Sequence, residues 1–164
     1  MSLDTQKEAL VFEGKYLTFN LMDEYYGVSV ERILQIIAIP DITKIPQTPP
    51  FVKGVINLRG RIIPVMDLRL RFQLAEQEYD DRTSIIITRM KLYDREIFIG
   101  VIVDKVIEVI DINKNEIEDS PSFGVELDTQ YILAMAKVKN KVVTLLDIGK
   151  ILTNKDLKQL QNIS

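Results

Sequence analysis

The chain repeats itself, and no other feature limits its fold as much. The stretch Gly54-Val55-Ile56-Asn57-Leu58-Arg59-Gly60-Arg61-Ile62-Ile63-Pro64-Val65-Met66-Asp67-Leu68 matches Ala134 to Ile148 position by position, at an offset of 80 as between Asp67 and Asp147. Phe51-Val52 and Tyr131-Ile132 keep the same offset. An earlier block, Gly27 to Ile37, matches Gly100 to Ile110 at an offset of 73. Apolar residues, glycine and charge pairs (Glu31-Arg32, Asp104-Lys105) all agree, and the blocks keep their order. Two related units follow, each of about five short strands, the size of a small barrel.

The strand reading rests on period two. Leu17, Phe19 and Leu21 alternate with Thr18 and Asn20, which marks a half-buried strand. A turn at Asp23-Glu24 leads into a strand through Tyr26 to Val30, a helical turn fits around Glu31-Arg32, and Leu34 to Ile39 favour a further strand. Pro40, Pro46, Pro49 and Pro50 then stop regular structure. Arg59-Gly60 is the tip of a β-hairpin, and Pro64, which has no N–H to donate, predicts an edge or a bulge. Gln73 to Arg82 reads as a polar linker between a first unit at 11–72 and a second at 83–152. At the C-terminus, Ile148, Ile151, Leu152, Leu157 and Leu160 form one apolar stripe, and Thr153 with Asp156 can cap a helix over 153–164.

Composition removes much chemistry. Cys and His are both absent, so thiolate catalysis, disulfides, imidazole bases and the common zinc sites are gone. No nucleotide-binding glycine loop or nucleophile elbow is present. The expectation is a protein that is not an enzyme and carries no cofactor. With 21 basic against 24 acidic residues and a net charge of −3, a small β-barrel nucleic-acid binder is the alternative, and it would need a basic, aromatic-lined face. No signal peptide or bilayer-length apolar run is seen, so a cytoplasmic location without direct membrane insertion is expected.

Few residues stand out. Glu76, Glu78, Asp80 and Asp81 read as a solvated linker rather than a cation loop. Lys137, Lys139 and Lys141 form a basic stripe that reads as protection of a strand edge, with contact to an acidic partner as the alternative. Asp67 and Asp147, a conceivable carboxylate pair, sit where helical turns begin and read as N-caps. Arg59 is a turn residue, yet a rigid hairpin tip is also a platform for an interface arginine. Ile33, Ile36 and Ile37 cannot all face one side of a strand. An apolar strip that reaches the surface at the junction of two barrels would suit a helix laid in a groove.

The run Phe51 to Leu68, centred on Asn57-Leu58-Arg59-Gly60, resembles the signature of the CheW-like family. Tyr26-Gly27, the Gly100-Val101-Ile102-Val103-Asp104 block and Asp147-Ile148 also match, so the resemblance spans a single domain over 11–160. It implies an all-β fold of two five-stranded SH3-like barrels, possible exchange of strands between them, and a C-terminal helix. It also implies a non-catalytic adaptor in bacterial two-component chemotaxis signalling. The partners implied are the cytoplasmic tip of a methyl-accepting chemoreceptor and the regulatory domain of the histidine kinase CheA. By motif, Arg59 and Gly54 fall near the receptor groove, with Val30, Ile33, Gln35 and Ile36 on its wall. Phe123 falls in a kinase-facing loop. The family often has a carboxylate at the position of Gln35, so no ion pair is implied there.

Overall fold

The structure, a computed structural model, describes residues 13–92, 94–118 and 130–161. In chain order the strands are β1 (Gly14–Leu21), β2 (Glu24–Ser29), β3 (Ile33–Ala38), β4 (Val52–Leu58), β5 (Arg61–Asp67), β6 (Ser84–Leu92), β7 (Arg95–Val103), β8 (Lys105–Ile112), β9 (Ile117–Glu118), β10 (Ile132–Val138) and β11 (Lys141–Leu146). Two short α-helices follow the last long strands of each repeat, α1 (Leu68–Arg71) and α2 (Asn154–Gln161). Single 3-10 turns cover Val30–Arg32, Lys114–Glu116 and Ile148–Lys150.

The strands form two sheets whose orders are β8-β1-β2-β11-β10-β9 and β3-β6-β7-β5-β4. Apart from the two-residue β9, the orders are equivalent under the repeat. The first hairpin of each repeat has crossed over: β1–β2 lies among strands of the second repeat, and β6–β7 among those of the first. The sequence split at 73–82 therefore divides repeats, while sheet membership runs across it. Each crossed hairpin is held by a parallel pairing, Leu145 beside Gly27 and Val65 beside Gly100. The glycines belong at these crossings, because a Cβ on Gly100 would lie 2.8 Å from Ile85 Cγ2 and one on Gly27 3.2 Å from Leu145 Cδ2.

Exchange creates three apolar clusters. The largest lies between the sheets and is built from Leu17, Phe19 and Leu21 of β1, Ile86 and Met90 of β6, Val101 and Val103 of β7, and Ile148, Ile151 and Leu152. Each sheet also encloses its own smaller interior, around Ile63, Ile85 and Ile87 in one and Tyr16, Val143 and Leu145 in the other. Each large aliphatic or aromatic side chain so buried contributes about 2 kcal/mol by removal from water. The architecture is the all-β pair of repeated SH3-like units with a C-terminal helix that was expected.

Local chemistry sets the joints. Three hairpins turn on two residues with positive φ: Met22 (48°) and Asp23 (66°), Arg59 (53°) and Gly60 (83°), Lys139 (51°) and Asn140 (64°). That is the type I′ geometry, whose twist matches the strands. The first turn is thus Met22-Asp23, one residue earlier than the sequence suggested, and the Met22 N–H donates to Asp104 Oδ2 at 3.0 Å. Pro64 is buried in β5, an interior strand and not an edge; its pairing with β7 begins only at Val65. Thr153 and Asp156 form the reciprocal cap, with Asp156 N–H to Thr153 Oγ1 at 3.1 Å and Thr153 N–H to Asp156 Oδ2 at 3.0 Å. Ile148, Ile151 and Leu152 of the stripe are buried, and the side chains of Leu157 and Leu160 lie outside those described.

Candidate interaction surface

Strand β3 forms one edge of its sheet. Ser29 starts it by capping the 3-10 turn, its Oγ accepting the Glu31 N–H. Ile33 pairs with Thr88 and Gln35 with Ile87, so Leu34 is an extra residue in a bulge. The bulge decides what faces where. Residues directly opposite share a face, so Ile33 and Ile36 lie on the side of Thr88 and Ile86, toward the central cluster. Gln35 and Ile37 lie on the side of Ile87 and Ile85, the interior of their own sheet.

Ile33 is half-buried against the central cluster, and Ile36 beside it is 42% exposed. Bulged Leu34 is 47% exposed. Val30 is half-buried in the 3-10 turn that leads into this strip. These residues come together as one apolar edge. Gln35 does not join it, being half-buried on the other face. Gly54 is buried in β4, where Thr43 crosses it through a bridge to Val55 with both N–H···O distances at 2.9 Å. Arg59 is exposed at the β4–β5 tip, where the Gly60 N–H donates to Asn57 Oδ1 at 2.9 Å. Phe123 lies outside the described residues.

The repeat identifies a second apolar edge that sequence reasoning missed. At the offset of 73, Ile33 and Ile36 correspond to Val106 and Val109 of β8, an edge strand of the other sheet. Val109 opposes Leu17 and is 53% exposed, and Val106 packs on the same central cluster as Ile33. The offset itself was the available signal.

The polar cleft of about 230 Å³ beside the linker, lined among others by Asp67, Arg69, Tyr79 and Asp104, is internally paired. Arg69 grips Asp104 with both ends of its fork, Nε at 2.7 Å and Nη2 at 2.6 Å. Buried Asp67 accepts the Arg69 N–H on Oδ1 at 2.9 Å, the N-cap the sequence indicated, and the Tyr79 hydroxyl on Oδ2 at 2.7 Å. Asp147 does the same for Gly149 N–H at 3.0 Å. The two carboxylates cap separate turns. Among the described residues no cluster of acidic side chains is placed to hold a metal ion, and no helix is long and apolar enough to cross a membrane. The linker is less free than its composition suggested, because Tyr79 is half-buried and Lys53 pairs with Glu76.

Burial, and then the hydrogen bond to Asp67, push the Tyr79 phenol above its ordinary value. Its neutral form is favoured by the folded state, so this contribution is full below about pH 10, the unfolded value, and fades as pH rises above it. Tyr79→Phe is expected to cost about 1 kcal/mol at neutral pH, since Asp67 loses a donor. It should also soften the alkaline decline, read by urea unfolding at pH 8 and pH 11.

Comparison with known proteins agrees with this architecture. The CheW-like domain profile matches residues 15–156. The chemotaxis protein CheW of Bacillus subtilis is 37% identical over 139 residues, covering 84% of this chain and 86% of its own. That of Klebsiella aerogenes is 31% identical over 150 residues, covering 92% and 88%. The crystal structure of the scaffolding protein TtCheW from Thermoanaerobacter tengcongensis superposes with a TM-score of 0.76 at 34% identity, over 88% of this chain and 96% of that one. With a match across both repeats and the exchanged sheets between them, the chain belongs to the CheW-like family.

Proposed function

We propose that this chain is a non-catalytic chemotaxis adaptor that couples chemoreceptors to the histidine kinase CheA in the cytoplasm. Family membership over 15–156 carries the reading. The apolar edges at Ile33–Ile36 and Val106–Val109, bordering one central cluster, support a helix-in-groove mode for the receptor tip. Arg59 is assigned to the rim. Val30 supports the wall from its turn. Gly54 acts by letting Thr43 approach, and Gln35 by filling the sheet interior, so neither is expected to touch a receptor. Phe123 is proposed to face the regulatory domain of the kinase. The adaptor contributes binding free energy that differs between receptor states, and so biases the kinase equilibrium.

The test is co-sedimentation with receptor cytoplasmic fragments and kinase, with phosphorylation followed in parallel. Activity that requires both receptor and adaptor supports the reading, and no association with either partner overturns it. Ile36→Asp is expected to weaken receptor association by about tenfold or more, because a charge then enters an apolar contact, while the urea midpoint stays near wild type. Arg59→Ala should have a smaller effect. Ile33→Asp is a poorer probe, since Ile33 packs on the core.

A further inference from the structure

The two exchanged hairpins are not equal in length. Leu21 and Met90 hold equivalent places in the central cluster. The β1–β2 ladder ends at Leu21 opposite Glu24, whereas β6–β7 continues past Met90–Ile97 to Lys91–Glu96 and Leu92–Arg95. The coverage differs as well. Strand β8 follows β1 as far as Asn20, where the Asp104 N–H adds a bond to Asn20 O at 3.2 Å. Strand β3 leaves β6 at Ile33–Thr88, and the chain before it is a 3-10 turn. Beyond that pair, among the described residues, β6 has a ladder partner only on its β7 side.

The space beside this uncovered edge is a cleft of about 250 Å³ lined by Glu31, Arg32, Arg89, Met90, Lys91 and Glu96. Among the described residues, none of its charged side chains belongs to an ion pair. Three cations therefore border a strand edge on a chain whose net charge is −3. Arg89 and Lys91 are two apart on one strand face, about 7 Å along the chain. Carboxylates on alternate residues of an extended peptide have the same spacing.

We propose that the overhanging end of β6, with the turn that carries Arg32, is a docking site for an extended acidic segment of a partner protein. The segment adds as a strand beside Met90–Leu92 and places its carboxylates against Arg32, Arg89 and Lys91. Main-chain bonds supply the pairing and the cations select the sequence. Glu31 and Glu96 in the same rim oppose a continuous run of phosphates, which argues for a peptide over a nucleic acid or an anionic membrane. This surface adjoins the strip around Ile36 at the Val30–Arg32 turn but is lined by none of the side chains Val30, Ile33 or Ile36, so its occupancy does not depend on the receptor reading.

A fluorescein-labelled Glu-Val-Glu-Val-Glu peptide, titrated against the full chain with fluorescence anisotropy as the readout, tests this. Binding is expected to weaken about tenfold or more in Arg89→Glu/Lys91→Glu, to weaken with added salt, and to survive Ile36→Asp. A peptide N-methylated at every residue should bind at least about tenfold worse, since neither of its edges can then complete a ladder. Bound peptide should slow amide exchange across Met90–Leu92. Absence of binding, equal binding of Lys-Val-Lys-Val-Lys, or indifference to N-methylation would overturn the proposal. So would charge-reversal-sensitive binding that appears only with phosphatidylglycerol vesicles or a single-stranded oligonucleotide.

Discussion

Gly54→Ala is expected to remove about 4 kcal/mol of stability, a large part of what holds a domain of this size folded. Gly54 has φ +144°, and a Cβ there would lie 2.0 Å from the carbonyl oxygen of Thr43. The backbone conformation alone is strained by roughly 1–3 kcal/mol for a residue with a side chain. The contact is worse, because its other side is main chain fixed by the Thr43–Val55 bonds. The repeat offers a built-in comparison. Ala134 stands at the equivalent place in β10, also beside a bulge, and there the strand is flanked by the short β9 through Met135 and Ala136. Ala134→Gly should cost only about 1 kcal/mol. Equal losses for the two substitutions, measured by urea denaturation, would show that the Thr43 crossing is not what demands glycine.

Asp104→Ala is expected to cost about 3 kcal/mol. Asp104 sits where the chain leaves β7 for β8. It receives both arms of Arg69 and the N–H of Met22 at the tip of the crossed β1–β2 hairpin. Removing it strands a guanidinium whose side chain is 11% exposed; the 26% exposure of Asp104 itself moderates the loss through water. Because the harm lies in the unpaired charge, Arg69→Leu together with Asp104→Leu should recover part of the stability lost in Asp104→Ala. A double variant no more stable than Asp104→Ala would refute that account.

The sequence carried the repeat, the type of most elements and the caps at Asp67, Asp147 and Thr153, because each is written in a few neighbouring residues. What it could not carry depends on which copy a strand joins. Gly27-Val28 and Gly100-Val101 present similar edges to β5 and β11, so local pattern does not choose between pairing at home and crossing over. The bulge at Leu34 was equally hidden. One extra residue turned Gln35 away from the strip and left Ile33 and Ile36 on it. Gly54 was placed by motif near the receptor groove until Thr43 was seen to lie across it, and Tyr79 read as linker until its hydroxyl was seen to reach Asp67. Val109 was within reach, since the offset of 73 maps Ile36 onto it.

The crossed hairpins have a consequence for synthesis. Val28 pairs with Leu146, so the β2 edge has its partner only after the ribosome has made nearly all of the described chain. The sheet built on β1 and β2 cannot close while the second repeat is unmade, and the sheet built on β3 to β5 waits for β6 and β7. A nascent chain halted in the linker thus exposes the strand edges of both sheets. Pairing with a neighbouring copy on the same polysome is then a real competitor, because that copy offers the same hairpin in the same register.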